Sequence, residues 1–224
     1  MRKILGLMVC IFVMFSGNCF AMQFSQPVEI GRLGLLHGGG NGVFFNNASY
    51  NDGDIAYRKG KTIAYGKGLA CFGNGADALY VHYDYYSEVG IFYFGGKDIA
   101  NTVSDNFIIF DVFKINTDEG ITIYPLYKVY GPEFDYFIVG RRADGRFVKY
   151  IDTRELTKRY FGWDGTSASP VTYHDLSTQG NALIMKYHRY GYKQLIEGTF
   201  YFKWDDNAQW FGVEQGTETV IRSW

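Results

Sequence analysis

The sequence predicts an all-β fold with one short helix. The expected architecture is a single-domain antiparallel sandwich or soluble barrel of about ten to twelve strands, with the helix packed on the sheet. Three observations lead there. Residues 107–151 read as four consecutive strands, filled with aromatic and β-branched residues and separated by breaks of Asn, Asp, Gly and Pro. Aromatic residues make up 19% of the chain, dominated by 19 Tyr and 19 Phe, and 28 Gly accompany them, which suits twisted sheets with tight turns. Only residues 152–161 carry convincing helix start and stop signals.

The first 21 residues stand apart from that fold. Met1-Arg2-Lys3 is a short basic region, residues 4–15 are an apolar run too short to span a bilayer comfortably, and Ala21 is the small residue of a cleavage site. Residues 1–21 are therefore expected to be a signal peptide and 22–224 a single all-β domain; a retained anchor is the alternative. Two of the three cysteines fall in this segment, so Cys71 alone remains and no internal disulfide framework is expected. The remaining chain, roughly 200 residues, is long enough to bury a core without staples. A net charge of −1 leaves no electrostatic footprint for nucleic acid or anionic lipid.

The elements follow in order. Residues 27–36 alternate in part and read as a first strand. The permissive glycine loop 37–42 precedes a short strand at 43–46 and a polar turn region at 47–54. Residues 54–58 and 62–66 form a hairpin candidate, and 69–72 are short and apolar. Residues 78–86 and 88–94 form another hairpin, in which Tyr80, His82, Asp84 and Tyr86 share the wetter face. The stretch 97–104 has no clear pattern. Both faces of 107–115 are largely apolar, as for a strand covered on two sides. Pro125 cannot donate to a ladder, so an edge, a bulge or a break is expected there. Asp144-Gly145 closes a hairpin.

Asp152 and Glu155 have capping-box spacing, Lys158 and Arg159 suit the C-terminal end of the dipole, and Gly162 terminates the helix. About two turns do not stand alone, so Leu156, Tyr160 and Phe161 are expected to pack on the sheet. Strands are then read at 171–174, 182–190, 194–204 and 208–214, with 217–224 as a last edge strand.

Local motifs do not specify an enzyme. His37-Gly38-Gly39-Gly40 has the form of an oxyanion-hole loop, but the nearest nucleophile elbow, residues 165–169, lacks its final Gly and runs through Pro170 into a strand. Cys71 lies in an apolar segment and reads as a small buried hydrophobe rather than a nucleophile. Gly60-Lys61-Thr62 lacks the upstream Gly of a phosphate loop. The four histidines show no zinc-ligand spacing, and the acidic turns at 51–54, 116–119 and 205–207 do not match a calcium loop, so no metal or cofactor is expected.

The aromatics remain. Tyr83, Tyr85, Tyr86, Tyr93, Trp163, Trp204 and Trp210 are able to form a stacking platform for sugars or a partner surface, although most single aromatics belong in cores or cross-strand pairs. The ligand-binding candidates are Trp163, Tyr86, Tyr83, His37 and Asn41; Trp163, on its loop, is the one expected to be exposed. The leading expectation is an exported, periplasmic or extracellular binding domain that recognises carbohydrate or another envelope protein. The alternative is a small outer-membrane β-barrel, opposed by Pro125, the helix and the poor lipid row of Glu218, Val220, Arg222 and Trp224. A secreted hydrolase with dispersed carboxylates is a third reading.

Overall fold

The computed structural model describes residues 22–36, 42–46, 49–51, 62–64, 67–73, 78–84, 89–94, 103–106, 109–130 and 133–224. The expected signal peptide lies outside these residues. Strands make up 63% of the structure, and they pair antiparallel around one short helix. In chain order the strands are β1 (Val28–Leu36), β2 (Gly42–Asn46), β3 (Ser49–Asn51), β4 (Thr62–Ala64), β5 (Lys67–Phe72), β6 (Leu79–Asp84), β7 (Val89–Phe94) and β8 (Val103–Asn106). β9 (Ile109–Asn116), β10 (Thr122–Tyr130), β11 (Glu133–Arg141) and β12 (Phe147–Asp152) then lead into α1 (Thr153–Phe161). β13 (Val171–Gln179), β14 (Ala182–Gly191), β15 (Gln194–Asp205), β16 (Trp210–Gln215) and β17 (Thr219–Ser223) end the chain. The described residues hold 17 strands, more than the ten to twelve expected; two of the additional ones, β3 inside the polar stretch 47–54 and β8 overlapping the unpatterned stretch 97–104, carry no apolar alternation.

Three sheets result, ordered β12-β11-β10-β9-β1-β2-β4, β3-β5-β6-β7-β8 and β13-β14-β15-β16, with β17 also paired to β15. They stack as a sandwich and do not close into a barrel. Stacking follows from the middle of the first sheet. Residues 122–126 and 135–140 are buried without interruption, so β10 and β11 need cover on both faces. Ile123 and Ile138 join one core with Tyr173, Tyr187, Phe200 and Phe202 of the C-terminal sheet. Tyr124, Leu126, Phe137 and Val139 occupy the opposite face and are equally buried. A Cβ built on Gly73, at the end of β5, would lie 3.4 Å from the Tyr124 hydroxyl, which places the β3–β8 sheet on that side.

Pro125 neither edges nor ends β10. It pairs with Ile138 of β11, while the ladder to β9 runs from Ile123↔Ile115 to its resumption at Leu126↔Val112. The missing N–H is thus accommodated by a local interruption on one side only. On β9, Asp111 is buried because Arg32, directly opposite on β1, takes both carboxylate oxygens in a bidentate pair.

The helix is bounded by its own sequence. Asp152 accepts from the Arg154 N–H at 3.1 Å, and Gly162, at φ 67°, donates its N–H to the Lys158 carbonyl. Leu156 is buried, and Tyr160 and Phe161 meet Phe200 and Tyr187 edge-on at 5.0 and 5.2 Å. A polar thread runs under the helix. Buried Thr153 receives the Tyr136 N–H at 2.9 Å and lies 3.1 Å from the Asp135 carboxylate, and Thr157 meets the Tyr173 hydroxyl at 3.0 Å. Every group in that thread has a partner, as burial demands. Residues Met22 to Gln26 lace the sheets together: Phe24 donates to the Gly180 carbonyl at 2.9 Å and Ser25 to that of Asn116 at 2.9 Å.

Candidate functional site

The C-terminal sheet has two unlike faces. On β14, Leu183, Met185 and Tyr187 point into the core while Lys186, His188 and Tyr190 point outward; on β15, Ile196, Phe200 and Phe202 point in while Glu197 and Tyr201 point out. The register places Thr172, His188 and Glu197 in one row across β13, β14 and β15, and His174 opposite Lys186 in the next. The outer face therefore gathers polar and titratable groups that lie far apart in the chain.

His174 and His188 have ring centroids 4.1 Å apart. His188 Nε2 lies 3.3 Å from Glu197 Oε2, and His174 Nδ1 lies 3.3 Å from Asp175 Oδ2. His174 Nε2 is buried and has no hydrogen-bond partner. One ligand atom from each of His174, His188 and Glu197 falls within 4.8 Å of the other two. A bulge helps to build this group: the register shifts between His174 and Leu176, and Asp175 adopts φ 42°, which an L-residue other than Gly seldom takes.

Aromatic side chains crown the β14–β15 turn. Tyr192 is 87% exposed, Tyr190 70% and Trp224 59%, and the last two rings contact each other at 6.4 Å. Lys193 lies 5.5 Å over the Tyr192 ring and Arg222 5.8 Å over that of Trp224. Beneath, on the core side, Glu218 binds the chain end to β14. It accepts from Arg189 through both oxygens and from the Tyr187 hydroxyl at 2.8 Å. The hydrogen bond from Arg189 holds the Glu218 carboxyl below its ordinary range. Burial, above all, pushes the Tyr187 phenol up to about 12.

At the opposite end of β15 a cleft of about 570 Å³ opens along Trp204, Asp205, Asp206, Ala208, Trp210 and Phe211. Its aromatic wall is braced by Tyr150, whose ring meets Trp204, Trp210 and Phe211 edge-on at 5.2 to 5.5 Å. The Asp205 carboxylate is engaged in the turn, accepting from Asn207 and Ala208.

The residues singled out from sequence fare differently. Trp163 requires a correction: it is only 7% exposed. Its loop folds around the indole, whose Nε1 donates to the Ser167 carbonyl at 3.0 Å, while the Arg154 guanidinium covers the ring at 5.4 Å. It anchors its loop instead of presenting a stacking face. Tyr83 falls in β6, opposite Gly68 and Gly90, away from the C-terminal sheet. Tyr86, His37 and Asn41 lie outside the described residues, as do residues 37–41 of the glycine loop. Ser167, the serine of the nearest elbow match, accepts at its carbonyl from the Trp163 indole, and Ser169, where the final Gly would stand, exchanges hydrogen bonds with the Val171 backbone and leads into β13. Cys71 is half-buried, its thiol 3.9 Å from the Gly73 carbonyl.

The histidine group escaped a search by local spacing because its members meet across strands. The signal was present in another form: Tyr173-His174 and Tyr187-His188 repeat one dipeptide on neighbouring strands, so each pair sends Tyr and His to opposite faces. Tyr190, Tyr192 and Trp224 were missed because they lie in a hairpin and a last strand read only as scaffold. No family model, curated protein or solved structure matches this chain.

Proposed function

We propose that this chain is an exported binding domain of the periplasm or cell surface that recognises a glycan through aromatic side chains on the outer end of its C-terminal sheet. The observation that carries this reading is the exposed group of Tyr190, Tyr192 and Trp224. Large aromatic side chains left in water are uncommon on a chain with a well-filled core, and they suit sugars, whose C–H faces stack on rings while their hydroxyls bond to nearby polar groups. Arg222 and Lys193, held over the rings, supply such donors. The basic and apolar N-terminal segment supports the export part of the reading.

A glycan array followed by calorimetry tests it. Binding should fall at least tenfold in the Tyr190→Ala/Trp224→Ala double variant. If Trp210→Ala abolishes binding instead, the sugar sits in the cleft. If no glycan binds, or the double variant binds as well as the parent, the reading fails, and an envelope protein becomes the partner to seek.

A further inference from the structure

We propose that His174, His188 and Glu197 bind a divalent transition-metal ion of the zinc class, with Asp175 as a positioning residue for His174. The inference goes beyond glycan recognition and does not depend on it.

The argument starts from lone pairs. A neutral imidazole has one N–H and one acceptor nitrogen, and the partner of one determines the role of the other. Asp175 faces His174 Nδ1 at 3.3 Å, so the proton belongs on Nδ1. That leaves Nε2 as an acceptor, and Nε2 is buried with no donor in reach. A buried unsatisfied acceptor is a cost that the surrounding structure ordinarily removes. A metal ion removes it, and a carboxylate behind a ligating imidazole is the usual orienting arrangement at such sites.

The other two ligands fit the same ion. Ligand atoms about 2.0 to 2.1 Å from a tetrahedral zinc lie about 3.3 Å from one another. His188 Nε2 and Glu197 Oε2 already have that separation, 3.3 Å. One nitrogen of each imidazole and one Glu197 oxygen lie within 4.8 Å of one another, a gap that small side-chain rotations close. Two imidazoles and one carboxylate form a borderline donor set suited to zinc, with nickel and copper as competitors. Three protein ligands leave a fourth position for water or a ligand oxygen. The side chains retain 24%, 34% and 35% exposure, so an ion can enter from solvent. Lys186, opposite His174 on the same face, is the one cation that the ladder sets beside the group, and its flexible stem lets the ammonium turn outward. A cross-strand His–Glu pair alone would be an ordinary surface contact. The second imidazole at 4.1 Å and its orphaned nitrogen are what such a pair does not explain.

Calorimetric titration of tag-free protein with zinc tests the proposal, alongside the visible absorption of the cobalt-substituted form. One ion per chain should bind in the micromolar range, and cobalt should show the intense bands of four-coordinate geometry. His188→Ala and Glu197→Gln should each weaken binding at least tenfold, Asp175→Asn by about tenfold, and His82→Ala not at all. These positions face solvent, and the near-isosteric Glu197→Gln carries the test should His188→Ala fail to fold. Absence of stoichiometric zinc binding would overturn the proposal. So would affinity that survives Glu197→Gln, or that falls equally in His82→Ala.

Discussion

Two dipeptides of one sequence, Tyr173-His174 and Tyr187-His188, give the C-terminal sheet its two faces. On the inner face the tyrosines stack into a closed core. Tyr173 reaches Thr157 of the helix, and Tyr187 reaches Glu218 and Gln215 of the chain end. On the outer face the histidines touch each other and leave a nitrogen without a partner. The inner face spends its polar atoms on holding elements together; the outer face leaves donors and acceptors open to solvent and ligand. The two faces thus differ in kind across the thickness of one sheet, and substitutions should reveal that difference.

The largest expected effect is on the inner face. Gly198 lies opposite Tyr187, and a Cβ there would fall 2.3 Å from the Tyr187 ring end and hydroxyl. Tyr187 cannot yield, because that hydroxyl is held by Glu218 and Gln215. Gly198→Ala should destabilise the fold by about 3 kcal/mol, read as a lower urea midpoint at unchanged slope. A loss below about 1 kcal/mol would mean that the Tyr187 network is looser than its geometry implies.

A smaller effect is expected at the inner rim. The folded-state pKa of Glu218 is depressed by Arg189, so its contribution is complete above the ordinary value of 4.5 and is lost as pH falls through the lowered folded value. Glu218→Gln should cost about 1 to 2 kcal/mol at neutral pH. The difference from the parent should shrink in acid, where the parent carboxyl is also neutral. A difference that stays constant from neutral pH into acid would remove the ion pair from the account.

The smallest effect belongs to the outer face. His188→Ala should change stability by no more than about 0.5 kcal/mol in metal-free buffer, because the ring is partly exposed on the outer face of the sheet. Added zinc should raise the melting temperature of the parent and leave that of the variant unchanged. A large metal-free loss would show that the two faces are less independent than the comparison holds.

Much of this was legible in the chain. Asp152 and Gly162 bound the helix with groups adjacent in sequence, so its ends followed from local chemistry. The largely apolar character of both faces of 107–115 announced cover on both sides. That His188 faces Glu197 follows from a two-residue turn at Tyr192-Lys193, a register that strands read at 182–190 and 194–204 leave open. Trp163 was not legible. Its burial depends on the Ser167 carbonyl meeting the indole N–H and Arg154 lying over the ring, and nothing in the loop composition indicates that the chain will wrap around it. His174 was not legible either. Its place beside His188 depends on the bulge at Asp175, and a bulge leaves the alternation intact on both sides while displacing one residue between them.

The class of fold and the one helix were already determined by the chain's own residues, because periodicity and capping act over two to four residues. Tertiary structure decided which buried strands share a core, that the sheets stack instead of closing, and that His174, His188 and Glu197 meet. Those outcomes depend on register and on the pairing of distant strands. A shift of one residue there would turn the buried side chains of a strand outward and scatter the site.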